Sequence, residues 1–179
     1  MTEKMIEDLG LLKDSYNYVI FRYFNVAGAS DCGRLGPKGR NISHLMKVCA
    51  QAATKKINSV TVFGTDYETH DGTGVRDYIH VEDLADLHVL GLKYLMAGNS
   101  SQVFNCGYSK GASVKEVIEE FEKVAGFKLN VINSQRRAGD LDCLIADCSK
   151  VKKILNWKPG KGELLQIVKS AYEWERNLR

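Results

Sequence analysis

Segments with the hydrophobic period of an amphipathic helix alternate along this chain with short runs of β-branched and aromatic residues. The clearest strand-like run is Tyr18–Phe24, in which Val, Ile, Phe and Tyr surround a single arginine. Before it, Met5, Leu9 and Leu12 recur at helical spacing on one face of an N-terminal helix. Strands separated by helices predict an α/β fold, and 179 residues are enough to bury the core of one ordinary domain.

The same patterns predict the remaining elements. Helices are expected over residues 1–13, 42–56, 82–96, 113–125, 149–155 and 162–178. Strands are expected over residues 18–24, 60–63, 75–81, 102–105 and 128–132. Loops or turns are expected over residues 25–40, 65–74, 106–111 and 133–141. Ser113 and Glu116 have the spacing of a capping box, which predicts a defined start for the helix that follows.

Charge and cysteine usage exclude several classes of function. Lys and Arg number 25 against 22 acidic residues, without a block of like charges, so we expect no nucleic-acid partner. No apolar run reaches the length of a membrane span, so we expect no membrane segment. The five cysteines are odd in number and form no Cys-x-x-Cys pair. We therefore expect reduced thiols in a cytoplasmic protein and no metal site.

One pattern common in α/β proteins is missing. Near the N-terminus the sequence has no strand, G-x-G-x-x-G-like turn and helix in that order. The chain begins on a helix and moves straight to a strand, as though the front half of a doubly wound sheet were absent. The sequence therefore predicts that no complete dinucleotide site is encoded here.

Polar groups stand at loops that follow strands or begin helices, which is where ligands bind in α/β proteins. Asn25 ends the first strand-like run, and its amide suits a phosphate or a sugar hydroxyl, although an asparagine there can also simply initiate a turn. Arg76 could hold a phosphate by its guanidinium fork, or it could form a salt bridge with Glu82 or Asp83.

Two further loops carry candidate groups. His80 is expected to be a structural hydrogen-bonding group rather than a base, because no nucleophile lies nearby in the sequence. Arg136, Arg137 and Asp140 could grip a diphosphate and a ribose diol, or they could form a solvated charged turn. Together the four loops predict a site for a ligand with phosphates and hydroxyls, that is, a nucleotide-like molecule.

These segments, in this order, resemble the UDP-glucose 4-epimerases of the extended short-chain dehydrogenase/reductase superfamily. The matching stretches are Arg22–Gly28, Val62–Gly64, Asp71–Ala85, Phe104–Gly107, Ser113–Glu116, Arg136–Asp140 and Trp157–Pro159. The resemblance implies an α/β fold that is the C-terminal part of an extended short-chain dehydrogenase/reductase, with a remnant of the Rossmann sheet joined to the smaller α/β substrate-binding domain. Residues 1–179 are then the substrate-binding portion of a UDP-glucose 4-epimerase, and the N-terminal NAD-binding Rossmann half is absent.

The resemblance also implies an activity. A UDP-hexose would bind between the two halves of the enzyme, and UDP-galactose and UDP-glucose would interconvert by transient oxidation at C4, with NAD held mainly by the front half and regenerated in each turnover. The full-length enzyme is expected to be a homodimer. Because the catalytic Tyr-x-x-x-Lys pattern does not occur in this sequence, no catalytic residue is expected here, and activity would need the front half in trans. The alternatives are an inactive UDP-sugar-binding module and an epimerase of another UDP-sugar.

Carried over residue by residue, the resemblance implies eight substrate-binding positions and no metal. They are Asn25 for the diphosphate and sugar, His44 and Leu45 for the phosphate and ribose, Thr61 and Phe63 for the uracil, Arg76 and Arg137 for the diphosphate, and Asp140 for a ribose hydroxyl. Phe63 is expected to pack on the base. Lys47 stands where relatives often have proline, which should only loosen that turn, and Leu144 stands where a residue gates N-acetylated substrates in relatives.

Overall fold

A computed structural model describes residues 1–12, 16–39 and 43–178, and these residues adopt the expected α/β fold. The helices are α1 (Thr2–Leu12), α2 (Leu45–Ala53), α3 (Val81–Met96), α4 (Val114–Ala125), α5 (Ser149–Ile154) and α6 (Leu164–Asn177). The strands are β1 (Val19–Tyr23), β2 (Asn25–Ala27), β3 (Val60–Phe63), β4 (Val75–His80), β5 (Gln102–Cys106), β6 (Gly111–Ser113), β7 (Val131–Ser134) and β8 (Cys143–Leu144). The element ends that we predicted at residues 13, 40 and 42 lie outside the described residues.

The strands pair in three groups. Parallel β1 and β5 form one pair, with Val19 opposite Gln102, and parallel β3 and β7 form another. In the third group β4 is central: it pairs in parallel with β2 and β8 and antiparallel with β6. The strand β4 therefore carries Arg76 and Tyr78 into the middle of the molecule.

Three short strands were not predicted, and one predicted strand is divided. The strand β2 lies in a predicted loop, β6 lies between a predicted turn and a predicted helix, and β8 lies where no element was predicted. The strands β2, β6 and β8 have three residues or fewer, which is too short to show a period of two, and each forms by pairing with β4. The run Tyr18–Phe24 is not one strand, because β1 ends at Tyr23 and β2 starts at Asn25 on a different partner. The strand expected over residues 128–132 is displaced to Val131–Ser134, in register with β3.

The core has two clusters. One lies between α2, α4, α6 and β3, and its fully buried members include Cys49, Val117, Phe121 and Val168. The other lies between β1, β5, α3 and α5, and its buried members include Leu87, Phe104, Val151 and Trp157. Tyr108 packs against both clusters and stacks on Trp157 with ring centroids 6.3 Å apart. The two clusters therefore meet beside β4, and this contact supports the site described below.

None of the helices in the described part of the chain has both the length and the apolar character that a membrane span requires.

Candidate functional site

A cavity of about 490 Å³ lies between β3, β4, the start of α2 and the loop that follows β7. All eight residues proposed above from the sequence line it, and they come from five separate segments of the chain. These residues are Asn25, His44, Leu45, Thr61, Phe63, Arg76, Arg137 and Asp140. The structure thus brings together every predicted site residue.

Strand geometry explains how β3 and β4 supply four of the lining side chains. Thr61 and Phe63 are two residues apart on β3, and Arg76 and Tyr78 are two residues apart on β4. Because side chains alternate along a strand, each pair projects on the same face. Tyr78 is buried, and burial raises the pKa of its hydroxyl, so the phenol is neutral at physiological pH.

Arg76 does not form the salt bridge that was the structural alternative for it. Its guanidinium is half-buried and donates to the backbone oxygen of Val75 at 2.8 Å. Glu82 instead pairs with Lys161 at 3.0 Å, and Asp83 accepts a hydrogen bond from the Tyr108 hydroxyl at 2.6 Å. Among the described residues no carboxylate forms an ion pair with Arg76, so its charge faces the cavity without an acidic partner.

The two adjacent arginines of the loop after β7 have different surroundings. Arg136 lies 2.8 Å from Asp66 and 3.7 Å from Asp142, and its guanidinium stacks over the ring of Tyr67 at 4.1 Å. The hydrogen bond from Arg136 lowers the pKa of Asp66. Arg137 lines the cavity and stacks over the ring of Phe63 at 3.8 Å from the centroid. Arg136 therefore anchors the loop, while Arg137 presents its charge to the cavity.

The start of α2 forms another wall. His44 is the N-terminal flanking residue of this helix, but its exposed side chain makes no capping hydrogen bond. The first turn of α2 contains no acidic residue. Backbone N–H groups at a helix start and the helix dipole both favour an anion. This wall is therefore suited to a phosphate beside His44 and Leu45.

A buried carboxylate fixes the strand that carries Arg76 and Tyr78. Asp77 accepts hydrogen bonds from the backbone N–H groups of Tyr108 at 2.9 Å, Ser109 at 3.1 Å and Ala146 at 3.2 Å. Burial raises the pKa of Asp77 even though these bonds oppose the rise. A side chain at Gly107 would place its Cβ 2.5 Å from an Asp77 carboxylate oxygen, so this position requires glycine. These contacts hold β4 against the loop after β5.

His80 has the structural role that its sequence context indicated. Its Nδ1 accepts the N–H of Glu82 at 3.1 Å and thereby caps α3, and its Nε2 lies 3.2 Å from the hydroxyl of Ser170. Burial lowers the pKa of the ring. His80, Asp31 and Glu82 lie close enough together to suggest a metal site, but the ammonium of Lys161 contacts both carboxylates. That cation already pairs with both carboxylates of the cluster.

Two other residues singled out in the sequence lie beside the cavity. Lys47 does not loosen a turn, so that prediction was wrong: it is buried within α2, 2.5 Å from Glu175, and donates to the backbone oxygen of Pro37 at 3.1 Å. Leu144 lies on β8, in register with Arg76, and is not among the lining residues.

The rest of the lining was missed by sequence reasoning. It consists of Val26, Ser43, Met46, Val48, Ser59, Tyr67, Gly74, Tyr78 and Val114. These are mostly small or apolar side chains with no chemical signature of their own. The sequence indicated them only through their positions beside predicted strands and helix starts. Those positions become informative once the strand pairing is known.

Comparisons with known proteins agree on one family. A sequence profile of the NAD dependent epimerase/dehydratase family matches residues 1–107. The UDP-glucose 4-epimerase of Azospirillum brasilense is 46% identical over 178 residues, which are 99% of this chain and 51% of that protein. This chain thus spans about half the length of the curated relatives that it matches.

Solved structures give the same result. The crystal structure of UDP-glucose 4-epimerase from Brucella ovis in complex with NAD superposes with a TM-score of 0.92 at 34% identity, over 97% of this chain and 53% of that one. The enzyme from Bifidobacterium longum, in complex with NAD+ and UDP, superposes with a TM-score of 0.90 at 37% identity, over 98% of this chain and 52% of that one.

Proposed function

The chain belongs to the NAD dependent epimerase/dehydratase family, and from this premise we propose that it supplies the UDP-sugar site of a UDP-glucose 4-epimerase. One observation carries the proposal. Eight residues from five segments line a single cavity, and two of them, Arg76 and Arg137, have no acidic partner among the described residues. Two guanidiniums without acidic partners in one cavity are suited to a diphosphate, which each can bind through paired hydrogen bonds.

The arrangement of the cavity suggests how such a ligand lies. The diphosphate would contact Arg76, Arg137 and the start of α2, and the uracil would lie along β3. Asp140 is exposed at the rim, and its carboxylate can accept a hydrogen bond from a ribose hydroxyl. Asn25, whose amide donates to the backbone oxygen of Asp77 at 3.4 Å, retains its side-chain oxygen for a sugar hydroxyl. The reaction we propose is the interconversion of UDP-galactose and UDP-glucose.

NAD would be held mainly by residues outside this chain. The Brucella ovis relative contains NAD, and the family is NAD dependent. The 179 residues contain no G-x-G-x-x-G turn to receive its pyrophosphate, so they do not fit a complete NAD site. NAD, when bound, supplies the reversible hydride acceptance at C4 of the sugar. The residues of this chain bind and orient the UDP-sugar for that exchange.

We propose that a dinucleotide-binding half docks on β1 and α1. Among the described residues β1 pairs with β5 along one edge, and its other edge has no partner strand. Nearby, α1 exposes Met5, Leu9 and Leu12 to 58%, 44% and 81%, and none of its residues is buried. A free parallel edge beside an apolar helix is suited to the addition of another strand. We also propose that the assembled enzyme is a homodimer and that it is cytoplasmic.

Reconstitution of activity tests this function. The chain would be mixed with NAD, UDP-galactose and a separately produced front half of the Azospirillum brasilense relative, and UDP-glucose formation would be followed. We expect no turnover by the chain alone and turnover with the front half. The matched control is the relative's own second half with the same front half. Turnover in that control but not with this chain would contradict the epimerase function and favour a UDP-sugar-binding module.

A further inference from the structure

The guanidinium of Arg137 occupies an aromatic surface of the cavity. Its central carbon lies 3.8 Å from the centroid of the Phe63 ring, and both residues line the cavity. Phe63 is half-buried on β3, so only part of its ring is open to a ligand. A cation at this distance over a ring is held by the electrostatic attraction of the ring face. In this state the guanidinium covers ring surface on which a base would stack.

The loop that carries Arg137 is exposed, and it is held at the neighbouring Arg136. Every residue from 135 to 140 is exposed, and these residues lie between β7 and β8. Arg136, one residue earlier, is fixed by Asp66 and Asp142 and by the ring of Tyr67. For Arg137 the structure gives one side-chain contact among the described residues, the stack on Phe63. Its backbone is therefore anchored while its guanidinium can exchange one partner for another.

We propose that Arg137 makes access to Phe63 depend on a phosphate. Without ligand the guanidinium stacks on the ring. When a nucleoside diphosphate enters, the guanidinium moves to the phosphate and uncovers the ring for the base. A nucleoside without phosphate must displace the guanidinium and offers it no anion in return. Arg137 is thus a specificity-determining residue that selects phosphorylated ligands twice, once by attraction and once by occlusion, and this inference rests on the proposed function.

The proposed attraction strengthens UDP binding, whereas the proposed occlusion weakens uridine binding. Removal of the Arg137 side chain should therefore change the two affinities in opposite directions. The full 179-residue chain and its Arg137→Ala variant would be titrated with UDP and with uridine, using NMR to follow weak binding. We expect the variant to bind UDP about tenfold or more weakly, because a charge-assisted hydrogen bond is lost. We expect it to bind uridine about two- to fivefold more tightly, because uridine no longer has to break the exposed cation–π contact between Arg137 and Phe63.

Arg176→Ala is the matched control, because Arg176 stacks on Tyr172 at 5.8 Å on α6, away from the cavity. It should leave both affinities unchanged. A second variant, Phe63→Leu, removes the ring itself, and Arg137→Ala added to it should no longer tighten uridine binding.

Three results would count against the inference. If the chain binds UDP but Arg137→Ala leaves uridine binding unchanged or weakens it, the occlusion is wrong and the proposed function stands. If Arg137→Ala tightens uridine binding equally in the wild-type chain and in Phe63→Leu, the stack on the ring is not the cause, and the occlusion is again wrong. If the wild-type chain binds no UDP, the proposed function fails, and the inference that rests on it fails too.

Discussion

At the scale of single residues, neighbouring charges of the same type have different roles. Arg136 is engaged by two carboxylates and a tyrosine ring, whereas Arg76 and Arg137 face the cavity without an acid. Sequence spacing allowed either loop arginine to bind a ligand or to form a solvated turn. The difference depends on where β3 and its following loop place Asp66 and Tyr67, and this is set by tertiary structure.

Arg76→Ala tests the charge at the centre of the cavity. Loss of its hydrogen bonds to a diphosphate should weaken UDP binding by about tenfold to a hundredfold, with little change in melting temperature. Arg22→Ala is the control, because Arg22 is an exposed arginine paired with Glu3. Calorimetric titration of both variants gives the comparison. Equal UDP affinity in Arg76→Ala and the wild type would remove Arg76 from the site.

His80 makes the fold sensitive to acid. Burial lowers the pKa of its ring from 6.5, and Lys161 lowers it further, while Glu82, Asp83 and Asp31 oppose this. Because the unfolded chain then binds the proton more readily, the contribution of His80 to stability is present above about pH 6.5 and is lost as the pH falls through its lowered value. The melting temperature should therefore drop between about pH 7 and pH 5, and by less in His80→Asn. An equal drop in both proteins would contradict this role.

At the scale of elements, local signals predicted the long helices and missed the shortest strands. The capping box of α4 forms as expected, since the Ser113 hydroxyl oxygen accepts the N–H of Glu116 at 3.0 Å and the Glu116 carboxylate accepts the N–H of Ser113 at 2.7 Å. The strands β2, β6 and β8 carry no comparable signal, because their conformation comes from pairing with β4. Local chemistry thus specified the helix start, whereas tertiary pairing specified these strands.

Removing the Ser113 hydroxyl should destabilise the whole domain. Ser113 is fully buried, and its hydroxyl also donates to the Asp71 carboxylate at 2.5 Å. Ser113→Ala therefore removes the cap of α4 and a hydrogen-bond donor to Asp71. We expect a loss of at least about 1 kcal/mol in the free energy of unfolding. Urea denaturation measures it, with the exposed Ser100→Ala as control. No difference between the two variants would show that the box contributes little.

At the scale of the whole molecule, the sequence predicted most of the residues with distinct chemistry that line the cavity. It did not predict the long-range contacts that hold the surrounding elements in place. Asn25, Arg76, Arg137 and Asp140 could be chosen from their loops, and the family resemblance added His44, Leu45, Thr61 and Phe63, all of which line the cavity. The buried pair of Lys47 and Glu175 could not be predicted, since its members are 128 residues apart and meet only when α2 packs on α6. Sequence patterns reveal the groups that contact ligand more readily than the long-range contacts that hold them.

The apolar face of α1 predicts association of the isolated chain. Leu9→Lys should raise the protein concentration at which the chain self-associates, because it puts a charge among exposed apolar side chains beside the free edge of β1. Sedimentation velocity over a range of concentrations measures this. Leu165→Lys, at a similarly exposed leucine on α6, is the control. The same shift in both variants would show that α1 is not the contact surface.

The proposed function requires that these residues form a site for a UDP-sugar. Calorimetric titration of UDP-glucose into the 179-residue chain, with ADP-ribose as the control ligand, measures whether they do. We predict micromolar binding of UDP-glucose at one site per chain and no binding of ADP-ribose. Equal binding of the two ligands, or no heat with UDP-glucose, would contradict the proposed UDP-sugar site.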